Sequence, residues 1–208
     1  MSELRHVKRI MVSLWGQRVG TIVPTGTRGE TYAFQYDRKF LRSGIEISPL
    51  MMPLRKDPYV FADLPRSEYA GLPPAFSDSL PDAFGRGLID RWLEEKGYVR
   101  SEITALDRLA YIGRRATGAL AYEPDHGPGG RPAAFEMRKL VEAARKAANG
   151  ELANLDGAEA LRAILRIGSS VGGAQAKALI GWNRETNQFL FGDRDLPDGF
   201  EHWIIKFT

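Results

Sequence analysis

The sequence of 208 residues contains no cysteine. A disulfide framework and a cysteine-ligated metal site are therefore both excluded. Its three histidines, His6, His126 and His202, are scattered and match no zinc-binding spacing. The apolar runs are too short to span a bilayer, and no long apolar stretch follows the basic N-terminus as it would in a signal peptide. These absences predict a cytoplasmic protein without a metal site and without a membrane partner.

The sequence also lacks a strong excess of charge. It has 29 Lys and Arg residues against 26 Asp and Glu residues, which gives a net charge of +3. That value is too small to indicate nucleic-acid binding, so no direct contact with nucleic acid is expected. Its hydrophobic content of 43% and charged content of 26% are ordinary for a soluble globular protein.

The most informative stretch is a loop of small residues, IGSSVGGAQAK, at positions 167–177. It lies between a predicted helix over 156–166 and a predicted strand over 178–182. Glycine lets the backbone approach a ligand closely, and several backbone N–H groups in such a loop can bind one anion. Lys177 adds positive charge. The loop therefore predicts a phosphate site, although glycine-rich turns often only connect two elements.

Two common phosphate loops do not fit these residues. The P-loop requires Lys-Ser or Lys-Thr after its last glycine, whereas Ala174 and Gln175 follow Gly173. The Rossmann loop follows a strand and precedes a helix, which is the reverse of the order here. A kinase-type glycine loop, with a lysine on a later strand, fits better.

The segment HWIIKF at 202–207 supplies that later strand and contains Lys206. A lysine within an apolar strand needs a partner or a ligand when it is buried, so Lys206 is expected to be enclosed and to contact the bound anion. The alternative is an edge-strand lysine whose amine extends into water.

Together, SVGGAQAK at 170–177 and HWIIKF at 202–207 closely resemble the HipA family of bacterial toxin serine/threonine kinases. Further points of resemblance occur earlier in the chain: LWG followed by Val19-Gly20, FQYD at 34–37, ISPL at 47–50, LPD at 80–82 with Gly85-Arg86, and GALAY at 118–122.

The resemblance implies an ATP site and its regulation. The residues that it assigns to ATP binding are Val171, Gly172, Gly173, Ala174, Gln175 and Lys206. Ser170 matches the family's autophosphorylation site, with Ser169 as the adjacent alternative. Ala176 departs from a commonly acidic position, which leaves open whether Lys177 contacts the nucleotide.

The resemblance also implies cofactors and partners: ATP with Mg²⁺, a protein substrate such as an aminoacyl-tRNA synthetase, and a DNA-binding antitoxin. In the family, the catalytic and metal-binding aspartates follow the lysine strand. Because this sequence ends two residues after Lys206, no catalytic residue is expected within it, and no tightly bound ATP or Mg²⁺. The chain is thus interpreted as the N-terminal fragment of a kinase, inactive by itself.

An α+β fold is predicted from the periodicity of the chain. Apolar runs at 10–15 and 19–23 predict a hairpin, 31–36 a third strand, and together a small, barrel-like antiparallel sheet. A helix is expected after Ser79 as its cap and another over 103–111, with Arg114 and Arg115 in solvent. Strands are predicted over 178–183, 188–191 and 201–207.

The Gly- and Pro-rich segment 125–132 is the best domain boundary. It separates a HipA-like N-terminal subdomain, 1–125, from the start of a kinase-like small nucleotide lobe, 132–208. A different class of function also fits: a stand-alone protein-binding or regulatory module. The reading frame after Thr208 would distinguish the two.

Overall fold

The computed structural model divides the chain into two units, Met1–Leu80 with Gly97–Gly127 and Pro81–Lys96 with Pro128–Thr208. Each unit contains an antiparallel sheet, and the α+β class is confirmed. The predicted domain limits at 125 and 132 stay predictions. The structure describes residues 6–25, 31–81, 83–116, 118–128, 141, 177–191 and 196–206.

The first unit is built on a five-stranded antiparallel sheet in the order β4-β3-β2-β1-β5. The predicted hairpin and third strand are both present, and β5 returns from more than 100 residues away to pair with β1. Within the described residues β4 and β5 do not pair, so the sheet is open. The strands are β1 (Ile10–Leu14), β2 (Gln17–Thr25), β3 (Thr31–Tyr36), β4 (Tyr59–Val60) and β5 (Leu120–Glu123).

Two tight features shape the β1–β2–β3 meander. The turn residues Trp15 and Gly16 both have positive φ, at 50° and 80°, as a two-residue hairpin turn requires. Gly20 lies where β2 meets β3, and a Cβ there would lie only 2.3 Å from the Gln35 carbonyl oxygen. A glycine at this position therefore allows the close pairing of the two strands.

Aromatic side chains fill the core of the first unit. The Phe34 and Phe76 rings lie 4.6 Å apart, and Tyr36 stacks on Phe40 at 5.9 Å between centroids. The Tyr36 hydroxyl donates a hydrogen bond of 2.6 Å to the Met52 carbonyl. Burial, with nearby Tyr59 and Glu46, raises the pKa of the Tyr36 phenol to about 12. The alternation of buried and half-buried residues along β1 and β3 matches the period of a sheet with one face in this core.

Short helices complete the first unit. Its longest, α4, begins with a capping box, in which the Thr104 and Asp107 side chains accept from each other's backbone N–H groups. The buried Asp107 carboxylate also accepts a hydrogen bond from the Val7 N–H at 2.9 Å and lies 2.8 Å from the His6 ring. The helices are α1 (Arg66–Tyr69), α2 (Pro74–Ser77) and α4 (Ala105–Ile112), with 3-10 turns at Phe40–Arg42 and Arg100–Glu102.

The expectation that Arg115 is solvated is wrong. Its side chain is 2% exposed, forms a 2.8 Å ion pair with Asp125 and donates a hydrogen bond to the Tyr111 carbonyl. The neighbouring Arg114 is exposed, as expected. Gly127 closes the site, because a Cβ there would collide with the guanidinium. The pair thus joins the end of α4 to the segment that follows β5.

The predicted cap at Ser79 is also wrong. The helix α3 spans Ala83–Glu95 in the second unit, and it buries Leu88, Ile89 and Leu93. The Ser79 hydroxyl instead forms a hydrogen bond with the Tyr122 hydroxyl within the first unit. Burial raises the pKa of Tyr122, and its bond to Ser79 offsets part of that increase.

Within the described part of the chain, no helix combines the length and the apolar character that crossing a membrane would need.

Candidate functional site

The candidate site is in the second unit, on a three-stranded antiparallel sheet in the order β7-β6-β8. The tight turn between β6 and β7 uses Asn183, whose side-chain oxygen accepts from the Glu185 and Thr186 N–H groups at 3.0 and 2.9 Å. All three strands match the sequence prediction to within a residue. They are β6 (Lys177–Asn183), β7 (Gln188–Phe191) and β8 (Glu201–Lys206).

The register between β6 and β8 brings two predicted features together. Lys177, the last residue of the glycine-rich loop, is the Cα partner of Lys206, the strand lysine. The backbone at the end of the loop is therefore one strand spacing, about 4.8 Å, from the strand that carries Lys206.

Lys206 is exposed, so the expectation that it would be enclosed is wrong. The physical reason is its position: within the described residues β8 is paired only with β6, and all of its residues except Ile205 are exposed. Lys206 forms no ion pair with any described residue. The exposed ammonium is thus accessible to an anionic ligand from solution.

An aromatic cluster that the sequence analysis missed fixes the register of β6 against β8. The Trp182 and Trp203 rings meet edge to face at 5.5 Å between centroids, and Trp182 stacks on Phe189 at 6.1 Å. The Arg184 guanidinium lies 5.5 Å from the centroid of Trp182 and 4.9 Å from that of Trp203. Such cation–π contacts each contribute about 0.5–1 kcal/mol at exposed sites.

Glu201 completes this cluster at the start of β8. Its carboxylate is 3.2 Å from the Arg184 Nε and accepts a 3.2 Å hydrogen bond from the Trp203 indole N–H. The spacing of Trp182, Phe189 and Trp203 along three predicted strands was the signal that could have revealed the cluster. Their pairing depends on the cross-strand register, which the sequence does not state.

A glycine in the middle of β6 marks a close approach by another segment. A Cβ at Gly181 would lie 2.5 Å from the Leu196 side chain, so any larger residue would displace it. Glycine within a strand often has this role. Leu196 belongs to the connection between β7 and β8, so this connection packs on β6 at Gly181.

The other predicted site residues lie outside the described part of the chain. These are Ser169, Ser170, Val171, Gly172, Gly173, Ala174 and Gln175. Asp82 of the LPD segment also lies outside it. Among the described residues, no group of three or more His, Asp or Glu side chains is arranged to hold a metal ion.

Comparison with known proteins identifies the sheet of the first unit and helix α3, but not the sheet of the second unit. The family model described as the HipA N-terminal domain matches residues 10–123, which include all five strands of the first sheet. A comparison with curated proteins gives no match. The sheet that carries Lys206 lies beyond the matched residues.

Proposed function

Because more than half of its length matches the HipA N-terminal domain, the chain belongs to the HipA family, and we propose that it is the N-terminal part of a toxin serine/threonine protein kinase. In this proposal the glycine-rich loop covers the phosphates of ATP, and Lys206 binds them. The Mg²⁺-binding carboxylate and the base that activates the attacking hydroxyl come from outside these 208 residues. Kinases transfer phosphate chiefly by positioning the reactants and stabilising charge, and this chain would supply the positioning of the nucleotide.

The register of the second sheet is the single observation that best supports this role. Lys206 is opposite Lys177, and Lys177 is the last residue of the glycine-rich loop. A loop that binds phosphate through backbone N–H groups and a cation on an adjacent strand are the two elements that hold a nucleotide triphosphate in kinases. The exposed ammonium of Lys206 is compatible with this, because the ligand must reach it from solvent.

Ser170 is proposed as a regulatory phosphorylation site within the same loop. A phosphate on this serine would add nearly two negative charges beside the position proposed for the ATP phosphates. Repulsion and competition for Lys206 would then disfavour ATP binding. Mass spectrometry of the active kinase that never finds phosphate on Ser169 or Ser170 would contradict this part of the proposal.

The proposed setting is a toxin–antitoxin module. Membership of the HipA family implies an antitoxin partner in general. We propose in addition that this antitoxin binds DNA and that the phosphorylated target is a protein, such as an aminoacyl-tRNA synthetase.

The test compares two proteins: the 208-residue chain and the product of the complete reading frame that contains it. We expect the longer protein to transfer phosphate from Mg-ATP to a protein serine and the 208-residue chain to transfer none. Lys206→Met in the longer protein should lower the rate at least about a hundredfold, since charge stabilisation of this kind is typically of that size. Lys8→Met, at an exposed lysine of the first unit, is the control and should leave the rate unchanged.

Two results would overturn the proposal. One is robust phosphate transfer by the 208-residue chain alone. The other is a longer protein that keeps its full rate and its affinity for ATP after Lys206→Met, while circular dichroism shows the fold unchanged.

A further inference from the structure

The first unit carries an exposed surface in the segment that connects β3 to β4. We define the 38–51 surface as six side chains on this segment, all of them exposed. Three are basic and three are apolar: Arg38, Lys39, Arg42, Ile45, Leu50 and Met51. None of them belongs to the proposed nucleotide site, which is in the other unit.

The apolar part of this surface is unusually open to water. Leu50 is 95% exposed, Met51 45% and Ile45 38%. A single exposed apolar side chain is common on soluble proteins, but a group of them beside charged residues is typical of an interaction site. Arginine and methionine are also enriched at protein interfaces.

The basic part of the surface is uncompensated. Within the described residues, none of Arg38, Lys39 and Arg42 forms an ion pair. Of the acidic side chains in this part of the chain, Asp37 accepts from the Lys39 N–H at 2.8 Å and lies 3.6 Å from Arg18 of β2. Glu46 accepts from the Leu54 N–H at 3.0 Å and keeps its negative charge. Three cations thus stand against one carboxylate within residues 38–51, so the net charge of the surface is positive.

The segment is held in place by the core rather than projecting freely. Phe40, within the segment, and Met52, at its end, are fully buried, and the Tyr36 hydroxyl donates a hydrogen bond to the Met52 carbonyl. The bridge between Ser48 and Met52 fixes the turn at whose tip Leu50 lies. A surface that is preorganised in this way loses less conformational entropy when it binds.

We propose that the 38–51 surface binds a segment of another polypeptide that carries acidic and apolar side chains together. The acidic groups would pair with Arg38, Lys39 and Arg42, and an apolar side chain would cover Leu50 and Met51. Charge complementarity of this kind increases the association rate and selects the partner, while the apolar contact supplies much of the affinity.

Two other occupants are the alternatives to this segment. A symmetric contact between two copies of the chain would bring together two surfaces of the same net positive charge. An anionic membrane would also attract the cations, and the vesicle experiment below distinguishes it from a polypeptide.

The test uses short fluorescent peptides and the purified 208-residue chain. The first peptide combines Asp and Glu with Leu and Phe, the second replaces every acid by Lys, and the third replaces every Leu and Phe by Ser. We expect binding by the first peptide, measured by fluorescence anisotropy, and at least about tenfold weaker binding by the other two. Added salt should weaken the binding of the first peptide because the ion pairs are exposed.

Variants locate the binding surface. Combined R38E, K39E and R42E substitutions, and separately the pair L50S and M51S, should each weaken binding of the first peptide by roughly tenfold. The matched controls alter exposed residues elsewhere in the same unit: K8E with R9E for charge, and V99S for apolar surface. Each control should change the affinity by less than about twofold.

Several outcomes would overturn the proposal. They are equal binding of the acidic and the basic peptides, equal losses in the variants and in their controls, or no binding by the first peptide. Concentration-dependent self-association that L50S with M51S abolishes would assign the surface to a second copy. Co-sedimentation with vesicles of phosphatidylglycerol and phosphatidylcholine, without peptide binding, would assign it to a membrane.

Discussion

The two sheets of this protein differ in where their apolar residues lie. In the first sheet Ile10, Ile22 and Phe34 are fully buried, and the aromatic rings pack on one another. In β8 of the second sheet, Trp203 is 37% and Ile204 55% exposed. The first sheet therefore derives its stability from a closed core, whereas strand β8 of the second sheet depends more on contacts along the surface of the sheet, and Ile180 of β6 is buried.

The family assignment and the proposed kinase activity rest on different parts of the chain. The match to the HipA N-terminal domain falls on the sheet with the buried core, where the residue pattern is constrained by packing. The proposed nucleotide contact Lys206 is on the exposed strand β8, beyond the matched residues. Membership of the family thus rests on residues 10–123, which include the first sheet, and the proposal of kinase chemistry rests on the loop, on Lys206 and on their register.

The largest expected effect comes from comparing the same substitution in both sheets. Ile22→Ala should lower the free energy of unfolding of the first unit by about 4 kcal/mol, because it removes a fully buried side chain. Ile204→Ala should cost the second unit less than about 0.5 kcal/mol, because Ile204 is already largely in water. Hydrogen exchange of the strand amides would measure both. Equal losses would mean that the two sheets do not differ in this way.

A second prediction concerns the ion pair between the buried Arg115 and Asp125 in the first unit. Arg115→Ala should destabilise this unit by about 2 kcal/mol, because it removes this ion pair and the hydrogen bond of the buried guanidinium to the Tyr111 carbonyl. Arg114→Ala changes an exposed neighbour and is the control, with an expected effect below about 0.5 kcal/mol. Urea unfolding would measure both variants. If the two losses were the same, the Arg115 contacts would have no special role.

A third prediction tests the aromatic cluster of the second sheet. Trp203→Ala removes the contacts with Trp182 and Arg184 and should destabilise the second unit by roughly 1.5 kcal/mol. Trp15→Ala removes a tryptophan that is 78% exposed in the first unit and should have a much smaller effect. Hydrogen exchange in β6 would report the change. Unaltered exchange in β6 after Trp203→Ala would show that the cluster does not brace this sheet.

The smallest effect at neutral pH is expected for Tyr36→Phe, which loses the hydrogen bond to Met52 at a cost of about 1 kcal/mol. The pKa of Tyr36 is about 12 in the folded protein, above the value of about 10 for an unfolded chain. The folded state therefore holds this proton more tightly. The corresponding stability is complete below pH 10 and is lost as the pH rises toward 12.

The stability advantage of the wild type over Tyr36→Phe should consequently shrink between about pH 10 and 12. Urea unfolding at several alkaline pH values would measure it. The tyrosines common to both proteins, including Tyr122, cancel in this difference. An advantage that stayed constant through this window would contradict the assigned cause.

Local pattern was sufficient to predict most strands. The third strand over 31–36 and the strand over 188–191 agree with the structure, and β6 and β8 differ from their predictions by one residue. The alternation of apolar and polar residues and the turn residues between them are short-range signals. The helix after Thr104 was also expected, although its capping box was not.

Long-range partners account for what the sequence analysis missed. Arg115 is buried because Asp125, ten residues away, returns to meet it after β5. Ser79 does not cap a helix because the Tyr122 hydroxyl, 43 residues later, takes its side chain. Lys206 is exposed because β8 is paired on one side only within the described residues. Each outcome depends on tertiary neighbours that periodicity does not specify.

The pairing of β1 with β5 has a consequence for how the chain folds during synthesis. Met11 is opposite Glu123, and the Val7 N–H is bound by Asp107. A ribosome adds about 5–20 residues per second. The time between synthesis of β1 and synthesis of these partners is therefore on the order of ten seconds. During that interval one edge of the nascent hairpin is unprotected. In the first sheet β1 is thus synthesised before the other four strands, but its second neighbour, β5, is synthesised last.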